Sequence, residues 1–132
     1  MNRLPLKKVF ILDDSKTEGM LLRLCLGAIP GLSIENFPDG RTLLSRIDEE
    51  PEVVISGLND EQDLYLIKTI RSISPRTEII VLSAQQDIEL VARVQETGIY
   101  NYVVKSEGCI EYTREVLEKL FSLRQTSPDN LP

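Results

Sequence analysis

The sequence contains no histidine. Acid–base catalysis by an imidazole, phosphoryl transfer from a histidine of this chain and most zinc sites are therefore excluded. The only two cysteines, Cys25 and Cys109, are far apart in sequence and match no metal-binding or redox spacing. We expect both to be reduced, buried thiols of a cytosolic protein. A GxGxxG segment, the signature of many nucleotide-binding loops, is also missing.

Basic patches and long apolar runs are absent as well. The formal net charge is −6, and the lysines and arginines form no stripe, whereas binding to nucleic acid requires clustered cations. The apolar runs are far shorter than a membrane span, and the start MNRLPLKK lacks the apolar core of a signal peptide. We expect a cytoplasmic protein in which this segment contacts neither nucleic acid nor membrane.

Short apolar segments alternate with segments of helical spacing along the 132 residues. Apolar strands without alternation are typical of a parallel sheet covered by helices on both faces. The sequence therefore predicts one α/β domain at residues 1–124, a doubly wound five-stranded parallel sheet, followed by a flexible tail or the start of a linker at 125–132. The predicted strands are Lys8–Leu12, Leu32–Phe37, Val53–Ser56, Glu78–Leu82 and Tyr102–Val104.

Capping residues and apolar spacing predict the helices. Ser15 and Glu18 fit a capping box, in which the serine accepts an amide and the glutamate reaches back to the start of the helix. Asp39 is the expected cap of the second helix, and the fourth is expected to end near Gly98. The predicted buried positions, helix by helix, are Leu21, Leu22, Cys25 and Leu26; Leu43, Leu44 and Ile47; Leu64, Ile67 and Ile70; Ile88, Val91 and either Ala92 or Val94; and Val116, Leu117, Leu120 and Phe121.

Polar residues follow the predicted strands where the chain passes into loops. In a doubly wound sheet the functional site lies at the carboxyl ends of the strands. The first strand is followed by Asp13 and Asp14, the third by Gly57, the fourth by Ser83 and the fifth by Lys105. We expect these side chains to converge on one edge.

This set, in this order, resembles the receiver domain of two-component response regulators, the CheY-like, flavodoxin-like fold, over about residues 7–123. The resemblance implies that an acidic pair and an aspartate after the third strand hold Mg²⁺, that this aspartate accepts a phosphoryl group, and that a hydroxyl and a lysine contact the group. With no histidine, no exposed nucleophile beside a base and no cofactor motif, we expect no enzymatic activity of the domain's own. We expect no required cofactor, and Mg²⁺ held at most weakly by the two carboxylates that remain. The matching positions are Asp13 and Asp14 for the metal, Asn59 for its backbone carbonyl, Ser83 and Lys105 for the phosphoryl group, and Tyr102 for the switch aromatic.

Gly57 occupies the position of the phosphoryl-accepting aspartate. Glycine has no side chain and can neither accept a phosphoryl group nor bind the metal. A backbone angle special to glycine, or a close approach of a loop, would be structural reasons for it. An unconventional acceptor, Asp60, Asp13 or Asp14, would preserve the phosphorelay chemistry.

The remaining site residues have structural roles to weigh against functional ones. We expect Lys105 to form a salt bridge with Asp13 or Asp14, Ser83 to be a satisfied hydroxyl at a strand end, and Tyr102 to pack near the sheet edge or act as a switch. The favoured hypothesis is a pseudo-receiver that binds a kinase or an output domain through its fourth and fifth helices without phosphorylation, with homodimerisation also compatible. The alternatives are a phosphorelay member with an unconventional acceptor and a sensor that binds a small ligand in the acidic cleft.

Overall fold

A computed structural model describes residues 6–13 and 15–125 of the chain. The predicted fold is confirmed: five parallel strands form one sheet in the order β2-β1-β3-β4-β5, with helices on both faces. No helix in the described part is long and apolar enough to cross a membrane. The predicted tail lies outside the described residues except for Gln125. The elements are β1 (Lys7–Leu12), α1 (Lys16–Leu26), β2 (Leu32–Phe37), α2 (Gly40–Leu44), a 3-10 turn (Ile47–Glu49), β3 (Val53–Ser56), α3 (Glu61–Ile73), β4 (Glu78–Ser83), α4 (Ile88–Glu96), β5 (Asn101–Val104) and α5 (Cys109–Gln125).

The sheet separates two apolar cores. Side chains alternate between the faces of a strand, so β1 sends Phe10 to one face and Val9 and Ile11 to the other. The Phe10 face packs against α2, α3 and α4, and the rings of Phe10 and Phe37 meet edge to face at 4.7 Å. The opposite face packs against α1 and α5. Central strands β3 and β4 are almost completely buried, which explains their unbroken apolar sequences.

Two helix residues that were predicted to be buried are exposed. Leu21 is 48% exposed and Ile88 is 84% exposed. The buried residues lie a little further along, one position on at Leu22 in α1 and two positions on at Leu90 in α4. Each residue corresponds to about 100° of rotation around a helix, so a shift of one or two positions moves a side chain between the core and solvent. The expectation of buried thiols is also wrong, because Cys25 and Cys109 are both only partly buried.

The register of the strands aligns their carboxyl ends. Leu12 of β1 pairs with Ser56 of β3, and Ser83 of β4 pairs with Val104 of β5. The residues that follow these positions, including Asp13, Gly57 and Lys105, therefore lie along one edge of the sheet.

Candidate functional site

An ion-pair cluster joins β5 to the start of α1. The ammonium of Lys105 lies 3.4 Å from Oδ1 of Asp13 and 3.2 Å from Oε2 of Glu18. The side chain of Asp13 is only 6% exposed, and that of Lys105 only 19%. The predicted salt bridge is thus confirmed for Asp13, while Asp14 lies outside the described residues.

Glu18 has a different role from the one predicted. The Ser15 hydroxyl caps α1 by accepting the amide of Glu18 at 3.3 Å, as expected. The amide of Ser15, however, donates to Oδ1 of Asp13 at 2.8 Å rather than to the Glu18 carboxylate. Glu18 is left to pair with Lys105, one turn into the helix. The Asp13 carboxylate therefore contacts both the start of α1 and Lys105.

Opposing effects act on the pKa of Lys105. Partial burial on its own lowers this pKa, because it penalises the charged ammonium. The negative charges of Asp13 and Glu18 outweigh the burial, so the pKa lies above its ordinary value of 10.5. Lys105 is therefore a fixed positive charge at neutral pH.

Gly57 is not required by the backbone. Its φ lies outside the left-handed region that favours glycine, which is occupied by Gly31, Gly98 and Gly108 instead. A Cβ at position 57 would meet nothing closer than Nδ2 of Asn59 at 3.8 Å and the Leu82 carbonyl at 3.9 Å, which is ordinary van der Waals contact. Both structural reasons considered for this glycine are therefore wrong, and the site has room for a larger residue.

The Ser83 hydroxyl is fully engaged within the protein. It donates to the carbonyl of Leu58 at 2.7 Å and accepts the amide of Gln85 at 3.1 Å, and the residue is 2% exposed. The expectation of a satisfied hydroxyl at a strand end is confirmed. This bond ties the loop after β4 to the loop after β3.

Gln85 connects its own loop, between β4 and α4, to the loop after β3 and to strand β5, in an arrangement that we call the Gln85 clasp. Its Nε2 donates to the backbone carbonyl of Asn59 at 2.8 Å. Its Oε1 accepts the amides of Gln86 and Asp87, at 3.0 and 2.9 Å, just before α4. The Tyr102 hydroxyl donates to the Gln85 carbonyl at 3.4 Å. The sequence analysis did not identify Gln85, because the only signal for it in the sequence is its position two residues after Ser83.

Replacement of Gln85 by alanine is expected to open the clasp. The variant loses the bonds to Asn59, Gln86 and Asp87, so we expect a loss of about 1–2 kcal/mol in the free energy of unfolding and faster amide hydrogen exchange before α4. Gln86→Ala, in the same loop, is the matched control, because no hydrogen bond of its side chain is found in the described structure. Equal exchange rates in the two variants would contradict the clasp.

Asp60 and Asp63 are occupied at the start of α3. Oδ1 of Asp60 accepts the amides of Gln62 and Asp63, at 3.0 and 3.2 Å, which makes Asp60 the N-cap of the helix. Oδ2 of Asp63 accepts the amide of Asn59 at 2.7 Å. Asp60, the proposed alternative acceptor of a phosphoryl group, therefore already has a structural role as a helix cap.

The described residues fit a metal ion poorly. A hard cation such as Mg²⁺ requires several oxygen ligands. Asp13 supplies a carboxylate that already binds Lys105 and the Ser15 amide, the Asn59 carbonyl accepts Gln85, and Gly57 contributes no side chain. Over residues 6–13 and 15–125 no group of three or more acidic, cysteine or histidine residues is placed to hold a metal. A weak Mg²⁺ site that also uses Asp14 stays a prediction.

Comparisons with known proteins agree with the geometry. The family model of the response regulator receiver domain matches residues 9–117. The probable chemotaxis protein CheY of Rhizobium etli is 30% identical over 120 residues, which are 86% of this chain and 92% of that protein. A response regulator of Thermotoga maritima superposes with a TM-score of 0.73 at 25% identity, over 89% of this chain and 98% of that one.

A longer relative matches only in part. The DNA-binding transcriptional regulator NtrC of Klebsiella pneumoniae is 28% identical over 96 residues, which cover 70% of this chain and 20% of that protein. The chain therefore spans about a fifth of the length of this relative.

Proposed function

The chain belongs to the response regulator receiver domain family, and from this membership we propose that it is a pseudo-receiver, a signalling module that acts by binding other proteins without accepting a phosphoryl group. Receiver domains as a class are regulatory modules rather than enzymes, and they pair with kinases or output domains. No catalysis by the domain itself is needed for this role. The cytoplasmic location stays a prediction.

The observation that carries the proposal is the residue at the end of β3. Gly57 has no carboxylate, although its backbone angle suits other residues and an added Cβ would make only ordinary van der Waals contacts. The neighbouring carboxylates are poor substitutes: Asp60 caps α3, and Asp13 is bound to Lys105 and to the Ser15 amide. A nucleophile must approach the phosphorus atom in a defined orientation, and neither side chain is placed for that.

The hydroxyl and the lysine of the site are both bound by other groups of the protein. In a responsive receiver, as the family resemblance implies, the hydroxyl and the lysine contact the phosphoryl group and shift the population of surface states. Here Ser83 is bound to Leu58 and Gln85, and Lys105 is bound to Asp13 and Glu18. Both groups are therefore held by the protein itself.

The face formed by α4, β5 and α5 is the proposed docking surface. It exposes large apolar side chains, with Ile88 84%, Val104 60% and Tyr112 49% accessible. Val104 and Tyr112 line the same shallow hollow of about 390 Å³. Exposed apolar residues grouped in this way are typical of a protein-binding surface.

The partner on this face is proposed to be a kinase, an output domain or a second copy of the chain. The name of the Klebsiella relative describes a DNA-binding regulator, of which this chain matches only a fifth. With a net charge of −6, the chain is not proposed to contact DNA itself. A DNA-binding partner domain would have to supply that contact.

The test of the proposed function is the mass of the unaltered domain after incubation with Mg²⁺ and acetyl phosphate. We expect no phosphoryl group to be added, because no carboxylate among residues 6–13 and 15–125 is placed to attack the donor. A hydroxylamine-sensitive gain in mass that is lost in Asp60→Asn would instead establish Asp60 as an unconventional acceptor. Asparagine is as good an N-cap as aspartate, so this variant keeps α3 intact.

A further inference from the structure

A groove of about 610 Å³ lies beside Gly57, on the α2 and α3 side of the sheet edge. Its floor includes Leu12 at the end of β1 and Ser56 and Gly57 at the end of β3. In the order β2-β1-β3-β4-β5, the chain reverses direction across the sheet between β1 and β3. Open α/β sheets bind ligands at this point, because the loops from the two strands diverge and leave a crevice.

The missing side chain at position 57 keeps the floor of the groove open. A Cβ there would meet no atom within 3.8 Å, so no neighbour has moved in to fill the space. The volume of the groove lies within the range of about 300–1,000 Å³ that is usual for small-molecule sites. This size favours a small molecule over a macromolecular partner as the occupant.

The walls of the groove are suited to a planar apolar body. Leu12, Leu44 and Leu66 contribute apolar surface, and Tyr65 stands at the rim with 73% of its surface exposed. An exposed tyrosine next to an apolar wall provides a stacking face for an aromatic ring, and such ring pairs are favourable beyond the area they bury.

The rim carries two carboxylates, Asp39 and Asp63, and one cation, Arg41. Asp39 accepts the amide and the hydroxyl of Thr42, both at 2.8 Å, and Asp63 accepts the amide of Asn59, so their oxygens are engaged although their negative charges remain. Arg41 is exposed and is attracted by the charge of Asp39, but its guanidinium forms no hydrogen bond or salt bridge to any residue that the structure describes. Its N–H groups are therefore available to a ligand, and a guanidinium binds a carboxylate through two parallel hydrogen bonds.

We propose that this groove binds a small aromatic carboxylate, with the ring against Tyr65 and the leucine wall and the carboxylate on Arg41. The inference goes beyond the proposed function and involves no phosphoryl transfer. The groove adjoins the acidic cleft of Asp13 and shares Gly57 and Asn59 with the candidate site, but Asp13 and Lys105 are not among its lining residues. Binding here would place a metabolite signal at the loops after β1 and β3.

The probes are phenylacetate, its neutral analogue phenylacetamide and the cation phenethylamine, each titrated into the full chain while amide chemical shifts are recorded. We expect saturable shifts at Leu12, Gly57 and Leu66 with phenylacetate at millimolar concentrations. In Arg41→Gln the apparent affinity should fall about tenfold. Arg76→Gln removes an equal charge from an exposed turn away from the groove and should leave the affinity unchanged.

Three results would overturn the inference. They are the absence of saturable shifts with phenylacetate, equally tight binding of phenylacetamide or phenethylamine, and equal losses in the two arginine variants. A second variant, Gly57→Leu, fills the floor of the groove and should abolish binding while Arg41 is retained. Since none of these experiments measures phosphorylation, their failure leaves the proposed function standing, and the acetyl phosphate experiment can fail without affecting the groove.

Discussion

With aspartate in place of Gly57, we expect the domain to take one phosphoryl group from acetyl phosphate in a buffer containing Mg²⁺, while the unaltered chain takes none. The new carboxylate would stand at the end of β3, next to the end of β1, on the edge that carries Asp13 and Lys105. Its oxygen forms the bond to phosphorus as the bond to acetate breaks, and acetate leaves with the electron pair. We therefore expect no phosphorylated product from the unaltered chain and one phosphoryl group per molecule of the variant.

The local structure favours this result. The φ of Gly57 suits any residue, and the nearest atoms to a new Cβ are 3.8 and 3.9 Å away, so aspartate requires no rearrangement of the backbone. Gly57→Asn is the matched control, because it has the same shape without a nucleophilic carboxylate. Intact mass spectrometry distinguishes the outcomes. If the folded Gly57→Asp variant stays unmodified, the loss of function at this edge extends beyond position 57, and if the unaltered chain is modified, the pseudo-receiver proposal is wrong.

The second large effect is expected from Lys105→Met. Removal of the ammonium leaves Asp13, with 6% of its side chain exposed, without the cation that balances it, and it also frees Glu18. A buried charge that loses its partner keeps its desolvation penalty, so we expect a loss of about 2 kcal/mol in the free energy of unfolding at neutral pH. Lys119→Met removes an exposed lysine from α5 and should change stability little.

The pH dependence gives a separate test of this cluster. The pKa of Lys105 is raised in the folded protein above 10.5, so the folded state holds the proton more tightly than the unfolded chain. The stabilisation is therefore fully present below pH 10.5 and is lost as the pH rises through the folded pKa. We expect the difference in stability between the unaltered protein and Lys105→Met, measured by chemical denaturation, to shrink in strongly alkaline buffer. A constant difference across this range would show that lost packing of the methylene stem, rather than charge, accounts for the effect.

The positions of the strands along the chain were predictable because the sheet is covered on both faces. A strand that is buried on both sides must be apolar throughout, so VFIL, VVIS and IIVLS mark β1, β3 and β4 within two residues of their ends. The helices were predictable in position but less well in orientation. Leu21 and Ile88 satisfy the apolar spacing and still face solvent, because several neighbouring apolar residues compete for one buried stripe.

The residues of the candidate site were also only partly predictable from the sequence. Asp13, Gly57, Ser83 and Lys105 were assigned to one edge from the rule that parallel strands present their carboxyl ends together. The sequence alone could not show that Glu18 shares Lys105, or that Gln85 joins the loops after β3 and β4. These partners are 87 and 26 positions apart along the chain respectively, and only the packing of the elements brings them within hydrogen-bonding distance.

By itself, the sequence determined the fold, the edge at which the site lies and the absence of a carboxylate at position 57, because these follow from apolar patterning and residue identity. Tertiary structure decided the surroundings of that position. It showed that Gly57 has an ordinary backbone and open space beside it, and that Ser83 and Lys105 are bound within the protein. Hydrogen bonds and ion pairs depend on distances of a few tenths of an ångström between groups far apart in the chain, and no local pattern of residues encodes such distances.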